Sequence, residues 1–113
     1  MTANPGDRYR VSCSRALLER LRRWGQTAQR IGLGEDYAAA LRQIQEQLET
    51  VPLEWGDPQY RLDRLGLLVL RGSHPLFYVW YAVHSVHRVV FLQSFQLVPG
   101  HPLQQACDEE GLA

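Results

Sequence analysis

Four histidines, two cysteines and twelve arginines are the side chains of this 113-residue chain best suited to chemistry. His84 and His87 stand three apart in "LFYVWYAVHSVHRVVFLQSFQL", Leu76 to Leu97. On a helix that spacing would suit a pair of zinc ligands. The flanking residues are aromatic and β-branched, however, and predict two strands joined by a tight turn. A turn does not set two imidazoles on one face as a helix would. No Cys, Asp or Glu stands nearby in sequence to complete a ligand set, so no metal is expected and the two histidines read as turn residues. His74 and His101 lie in further turn segments. Cys13 shares the inward side of a short strand with Tyr9 and Val11, where a thiol behaves as a small hydrophobe. Cys107 falls in a polar tail with acids beside it, which disfavours a thiolate. The two lie far apart with no framework spacing, and both read as free thiols. No nucleophile elbow, phosphate loop or dinucleotide fingerprint occurs, and no cofactor is expected.

The open faces of the strands remain. Phe77, Val79, Tyr81 and Val83, with Val89, Phe91, Phe95 and Leu97, read as the core side. Leu76, Tyr78, Trp80 and Ala82, with Val90, Leu92, Ser94 and Gln96, read as a second face. There Tyr78 and Trp80 could stack nucleic-acid bases while Ser94 and Gln96 hydrogen-bond to them. The alternative is that this face is covered by the C-terminal segment or by a partner.

Charge is balanced overall but unevenly placed. Residues 1–30 hold seven arginines against Asp7 and Glu19, a net of +5; residues 31–60 hold Arg42 against six acids, a net of −5; the remainder is four against four. Such asymmetry fits either a basic face for nucleic acid, with Arg15, Arg22 and Arg23 as docking contacts, or two solvated helices that pair with each other.

The elements that must position these groups follow from periodicity. Tyr9 to Cys13 alternates as a short strand, and Ser14 is an N-cap. Leu17, Leu21, Trp24, Ala28 and Ile31 form one helical stripe, which Gly32 and Gly34 end. Tyr37, Leu41, Ile44, Leu48 and Val51 form a second, with Glu35 and Asp36 in its first turn and Pro52 as its stop. Residues 53–58 are a turn-rich connector. Leu67–Leu70, Leu76–Val83 and Val89–Leu97 are strands, and Pro99 to Pro102 ends the ordered part. The expectation is a single α+β domain over 1–113, ordered over about 8–103, with an acidic tail at 104–113. Its order is β-α-α-β-β-β: a helix hairpin packed on a largely antiparallel four-stranded sheet. No apolar run is long enough to span a membrane, and the first residues lack the apolar core of a secretory signal, so a cytoplasmic location is expected.

This order, together with "LLVLRGSHPLFYVWYAVHSVHRVVFLQSF", resembles the RelE/ParE superfamily of bacterial type II toxin–antitoxin, or plasmid-stabilisation, modules. The match covers about residues 8–98, where the segment looks like the family's signature of Leu-Arg-x-Gly-x-Tyr-Arg-Val-x-Tyr, a hairpin, and Val-Val-Phe-Leu-x-Ser. The resemblance implies a small toxin neutralised by a cognate antitoxin protein. RelE-like members cut mRNA on the ribosome, without metal, through the ribose 2′-hydroxyl; ParE-like members block DNA gyrase. Carried over by position, Arg71 falls near a basic position that would hold phosphate. Tyr78 stands where the motif has arginine, Tyr81 closes the motif as a packing residue, and His101 could serve as the acid. Leu97-Val98-Pro99-Gly100 stands where the family has basic residues. The resemblance leaves three alternatives open: an endoribonuclease with an altered site at Arg71, Tyr78 and His101, a gyrase-directed toxin, or a non-catalytic interaction module, alone or as a homodimer.

Overall fold

The computed structural model describes residues 8–111. Strand β1 (Arg10–Ser12) leads through Ser14, whose hydroxyl accepts from Leu17 N at 3.2 Å, into helix α1 (Arg15–Arg30). Helix α2 (Gly34–Thr50) returns antiparallel, and the two bury Leu17, Leu21, Trp24 and Ala28 against Tyr37, Ala40, Ile44 and Leu48. The expected stripes hold except at their ends. Ile31 and Val51 lie past the last helical turns and are exposed, and Ala40 is buried on α2 while Leu41 is only partly so.

Pro52 does more than stop α2. It occupies the first turn of a four-residue helix α3 (Pro52–Trp55), where its missing N–H costs nothing. This turn delivers Trp55 onto Tyr81, with ring centroids 5.7 Å apart. Gly72 makes room for it: a Cβ there would lie 2.2 Å from the indole. The Tyr81 hydroxyl donates to Pro52 O at 2.5 Å and accepts from Gly56 N at 2.9 Å. Burial pushes this phenol up to about 12.

The sheet has five strands, not four, in the order β1-β5-β4-β3-β2. The added strand is β2 (Asp57–Leu62), which begins at the end of the expected 53–58 connector and runs on through residues given no element. Its Pro58, its bulge and its almost complete exposure hide it from a search for alternating apolar residues. A 3-10 turn (Asp63–Leu65) leads to β3 (Leu67–Ser73), β4 (Phe77–His84) and β5 (Val89–Leu97). These pair antiparallel, while β1 pairs parallel with the first part of β5. The result is an α+β domain with a mixed sheet and its helices on one face.

The acidic tail contains a helix, α4 (Pro102–Glu109). Leu103 and Cys107, one turn apart, are fully buried, and Glu110 accepts from Thr27 Oγ1 at 2.6 Å and from Arg30. Cys107 is therefore a core thiol, raised by burial, rather than a residue of a polar tail. Two buried apolar side chains in eight residues are too few for a periodic signal. No helix among the described residues is long and apolar enough to cross a membrane.

Candidate nucleic-acid interface

Register decides which side chains share the open face. Cross-strand partners point the same way, so Tyr78 opposite Gln96, Trp80 opposite Ser94 and Ala82 opposite Phe91 form three rows across β4 and β5. On the other side of β4, Ser73 lies opposite Tyr78, Arg71 opposite Trp80 and Val69 opposite Ala82. β2 extends the rows with Asp57 opposite Arg71 and Tyr60 opposite Val69. The sequence-predicted Arg71, Tyr78, Trp80, Ser94 and Gln96 are thus neighbours on the face away from α1 and α2.

One residue breaks the expected alternation. Trp80 pairs with Ser94 and Tyr81 with Leu92, so Gln93 is an extra residue, a bulge in β5. Before it, the parity reverses. Val90 and Leu92, expected outside, belong with the core, and Phe91, expected inside, is 42% exposed on the open face. Tyr60, 53% exposed, is a second aromatic that sequence reading missed, because its strand was not recognised.

Arg71 organises the centre of this face. Its guanidinium carbon lies 4.3 Å from the Tyr78 ring centroid and 5.9 Å from that of Trp80. Stacking on rings leaves the in-plane N–H groups of a guanidinium free for an anion. Asp57 is the direct cross-strand neighbour, yet the ion pairs among the described residues are Arg8 with Glu46 and Glu49, and Arg30 with Glu110. The outcome is a half-buried cation on an aromatic platform, flanked by a hydroxyl and an amide.

No known family, curated protein or solved structure matches this chain.

The remaining predicted residues lie elsewhere. His101 caps α4, its Nδ1 accepting from Leu103 N at 3.1 Å, and α4 packs on α1 rather than over the open face. Its ring is therefore not gathered with Arg71 and Tyr78. His74, whose ring burial holds below the usual imidazole range, meets Gln43 of α2 at 2.9 Å. His84 and His87 do flank a hairpin turn, but their rings come within 4.6 Å, closer than expected, because His84 Nδ1 accepts from His87 N at 3.2 Å. No group of three His, Cys, Asp or Glu side chains is placed to hold a metal among the described residues.

The first-helix arginines divide. Arg23 lines a groove of about 500 Å³ beside β5, together with Ser14, Arg20, Trp24, Gln93 and Ser94. Arg15 and Arg22, seven apart on one exposed stripe of α1, do not line it. Arg20, stacked at 5.2 Å on Trp24, is the groove residue that sequence reading missed. Its position one turn before Trp24 was the available signal. None of the ion pairs joins α1 to α2, so the basic first helix does not use the acidic second one as its counter-charge.

Proposed function

We propose that this chain is a toxin-like protein of RelE/ParE type whose open sheet face engages single-stranded RNA. The observation that carries the reading is Arg71 stacked on Tyr78 and beside Trp80, in none of the ion pairs among the described residues. A base stacks on the exposed part of the Trp80 or Tyr78 ring, and the adjacent phosphate sits against the Arg71 N–H groups. Ser94 and Gln96 supply polar contacts in the next strand. Strand order and the Leu67–Phe95 segment support the family reading, with β2, α3 and α4 as additions to the β-α-α-β-β-β order. A cognate antitoxin belongs to the same reading.

Binding without cleavage is the form favoured here. Cleavage through the 2′-hydroxyl requires a general acid at the leaving oxygen, and His101 is engaged in capping α4. Inducing the chain in a bacterial host is expected to arrest growth, and Arg71→Ala with Trp80→Ala to relieve the arrest while the protein accumulates folded. Unimpaired growth with the unmodified chain folded and abundant contradicts the toxin reading.

A further inference from the structure

The helix hairpin is tight at one end and open at the other. Near its link, the Tyr37 hydroxyl donates to Leu21 O, and Gly25 lets the ring approach: a Cβ there would lie 3.1 Å from it. Toward the start of α1 and the end of α2, a cleft of about 420 Å³ stands between the helices. Leu18 and Leu21 form one wall, and Leu41, Ile44 and Leu48 the other. The floor comes from the sheet. Val11 and Cys13 alternate onto it, and the bulge at Gln93 turns both Leu92 and Phe95 of β5 toward it. Apart from the Cys13 thiol, the polar side chain in the lining is Gln45, exposed at the mouth.

The mouth is charged. Leu18, 52% exposed, marks it on α1. Arg15 and Arg22, three before and four after Leu18, flank it on the helix surface. Neither enters an ion pair among the described residues. On α2, Arg42 and Glu49 flank Gln45 in the same way, and Glu49 already accepts from Arg8 at 3.2 Å and from Gln45 at 2.5 Å. Glu19 and Glu46 lie further round each helix, toward solvent. The uncompensated charge at the mouth is positive.

We propose that this cleft binds one molecule of a medium-chain fatty acid, its alkyl chain between the helices and its carboxylate against Arg15 and Arg22. An apolar cleft with a few polar groups at its mouth is the usual form of a small-molecule site, and the volume falls within the range of roughly 300–1,000 Å³. The arginines select a carboxylate over a neutral head. The site lies on the helix side of the sheet, away from Arg71 and Trp80, and does not depend on the RNA reading.

The test uses the full chain with Cys13 as reporter, since Cys107 is fully buried. Decanoate, below its micellar concentration, is expected to protect Cys13 from N-ethylmaleimide along a saturable curve and to raise the thermal midpoint. Affinity is expected to rise about fourfold per methylene from hexanoate to decanoate. Methyl decanoate is expected to bind at least about tenfold more weakly. Arg15→Glu with Arg22→Glu, both on the surface, removes the preference for acid over ester. Leu41→Trp fills the cleft and is expected to abolish the decanoate-dependent shift in midpoint; should it fail to fold, the arginine pair decides. Tyr78→Ala leaves the affinity unchanged, which separates this site from the RNA face. Absence of protection, an affinity independent of chain length, or equal binding of acid and ester overturns the proposal. So does protection by phosphatidylglycerol vesicles but not by decanoate, which assigns the mouth to a membrane surface. Concentration-dependent self-association that protects Cys13 without ligand assigns the cleft to a second copy, and also overturns it.

Discussion

The Arg71 guanidinium leans diagonally across the strands, nearer the ring of Tyr78 at 4.3 Å than that of its direct cross-strand partner Trp80 at 5.9 Å. The cation is thereby held in one place by two rings while its donors stay available. The arrangement distinguishes stacking from charge as the source of any affinity. Arg71→Lys keeps the charge and loses the planar stack, and is expected to weaken single-stranded RNA binding by about tenfold. Arg71→Ala is expected also to lower the log–log salt slope by about 0.7, one phosphate contact on a single strand. Fluorescence anisotropy of a labelled oligonucleotide across a salt series measures both.

His101→Ala separates capping from chemistry. Loss of the bond to Leu103 N is expected to destabilise the fold by about 1 kcal/mol, read as a lowered midpoint in urea, with RNA affinity unchanged. A loss of RNA affinity without a change in midpoint would restore His101 to the site.

Tyr81→Phe leaves the Pro52 carbonyl and the Gly56 N–H without their buried partner, at an expected cost of about 1–3 kcal/mol. The same hydroxyl makes stability depend on alkali. The folded-state value is raised, so the folded state holds the proton longer than the unfolded chain does. Its contribution is complete below about pH 10, the ordinary tyrosine value, and is lost as pH rises through about 12. The difference in midpoint between Tyr81→Phe and the unmodified protein is expected to narrow over that interval.

Glu110 works in the opposite direction. The Thr27 hydroxyl and then Arg30 hold its carboxyl below the usual carboxylate range. A depressed value means stability that is present above the ordinary carboxylate pKa and lost as pH falls through the folded-state one. Amide protection in α4, relative to the unfolded-chain exchange rate at each pH, is expected to fall in acid before protection in β4 does, and Glu110→Gln to remove that difference.

Much of this architecture was legible in the chain. Ser14, the stripe from Leu17 to Ala28 and the alternation of Phe77 to Val83 each obey a single period, so local pattern and tertiary packing agree. What was not legible shares a physical cause: a short element whose partner lies far away in sequence. Gln93 is one inserted residue, and only its pairing with β4 shows that Phe91 has turned outward. Asp57 to Leu62 becomes a strand because β3 offers it an edge, against its own proline and exposure. Leu103 and Cys107 form a helix face only because α1 receives them. Tyr78, Trp80, Ser94 and Gln96 share a face because strand periodicity places them, whereas Arg71, carried over from the resemblance, lies just past the expected strand and joins them through its register with Trp80. His101, carried over with no element to hold it, lies apart from them at the start of α4.

The claim on which most depends is that single-stranded RNA lies across the open face, and an NMR titration tests it directly. With a short unstructured oligoribonucleotide at low salt, the Trp80 indole N–H and the amides of Arg71, Tyr78, Ser94 and Gln96 are expected to shift together along one binding curve. Shifts confined to α1 and α2, or none at saturating oligonucleotide, would contradict it.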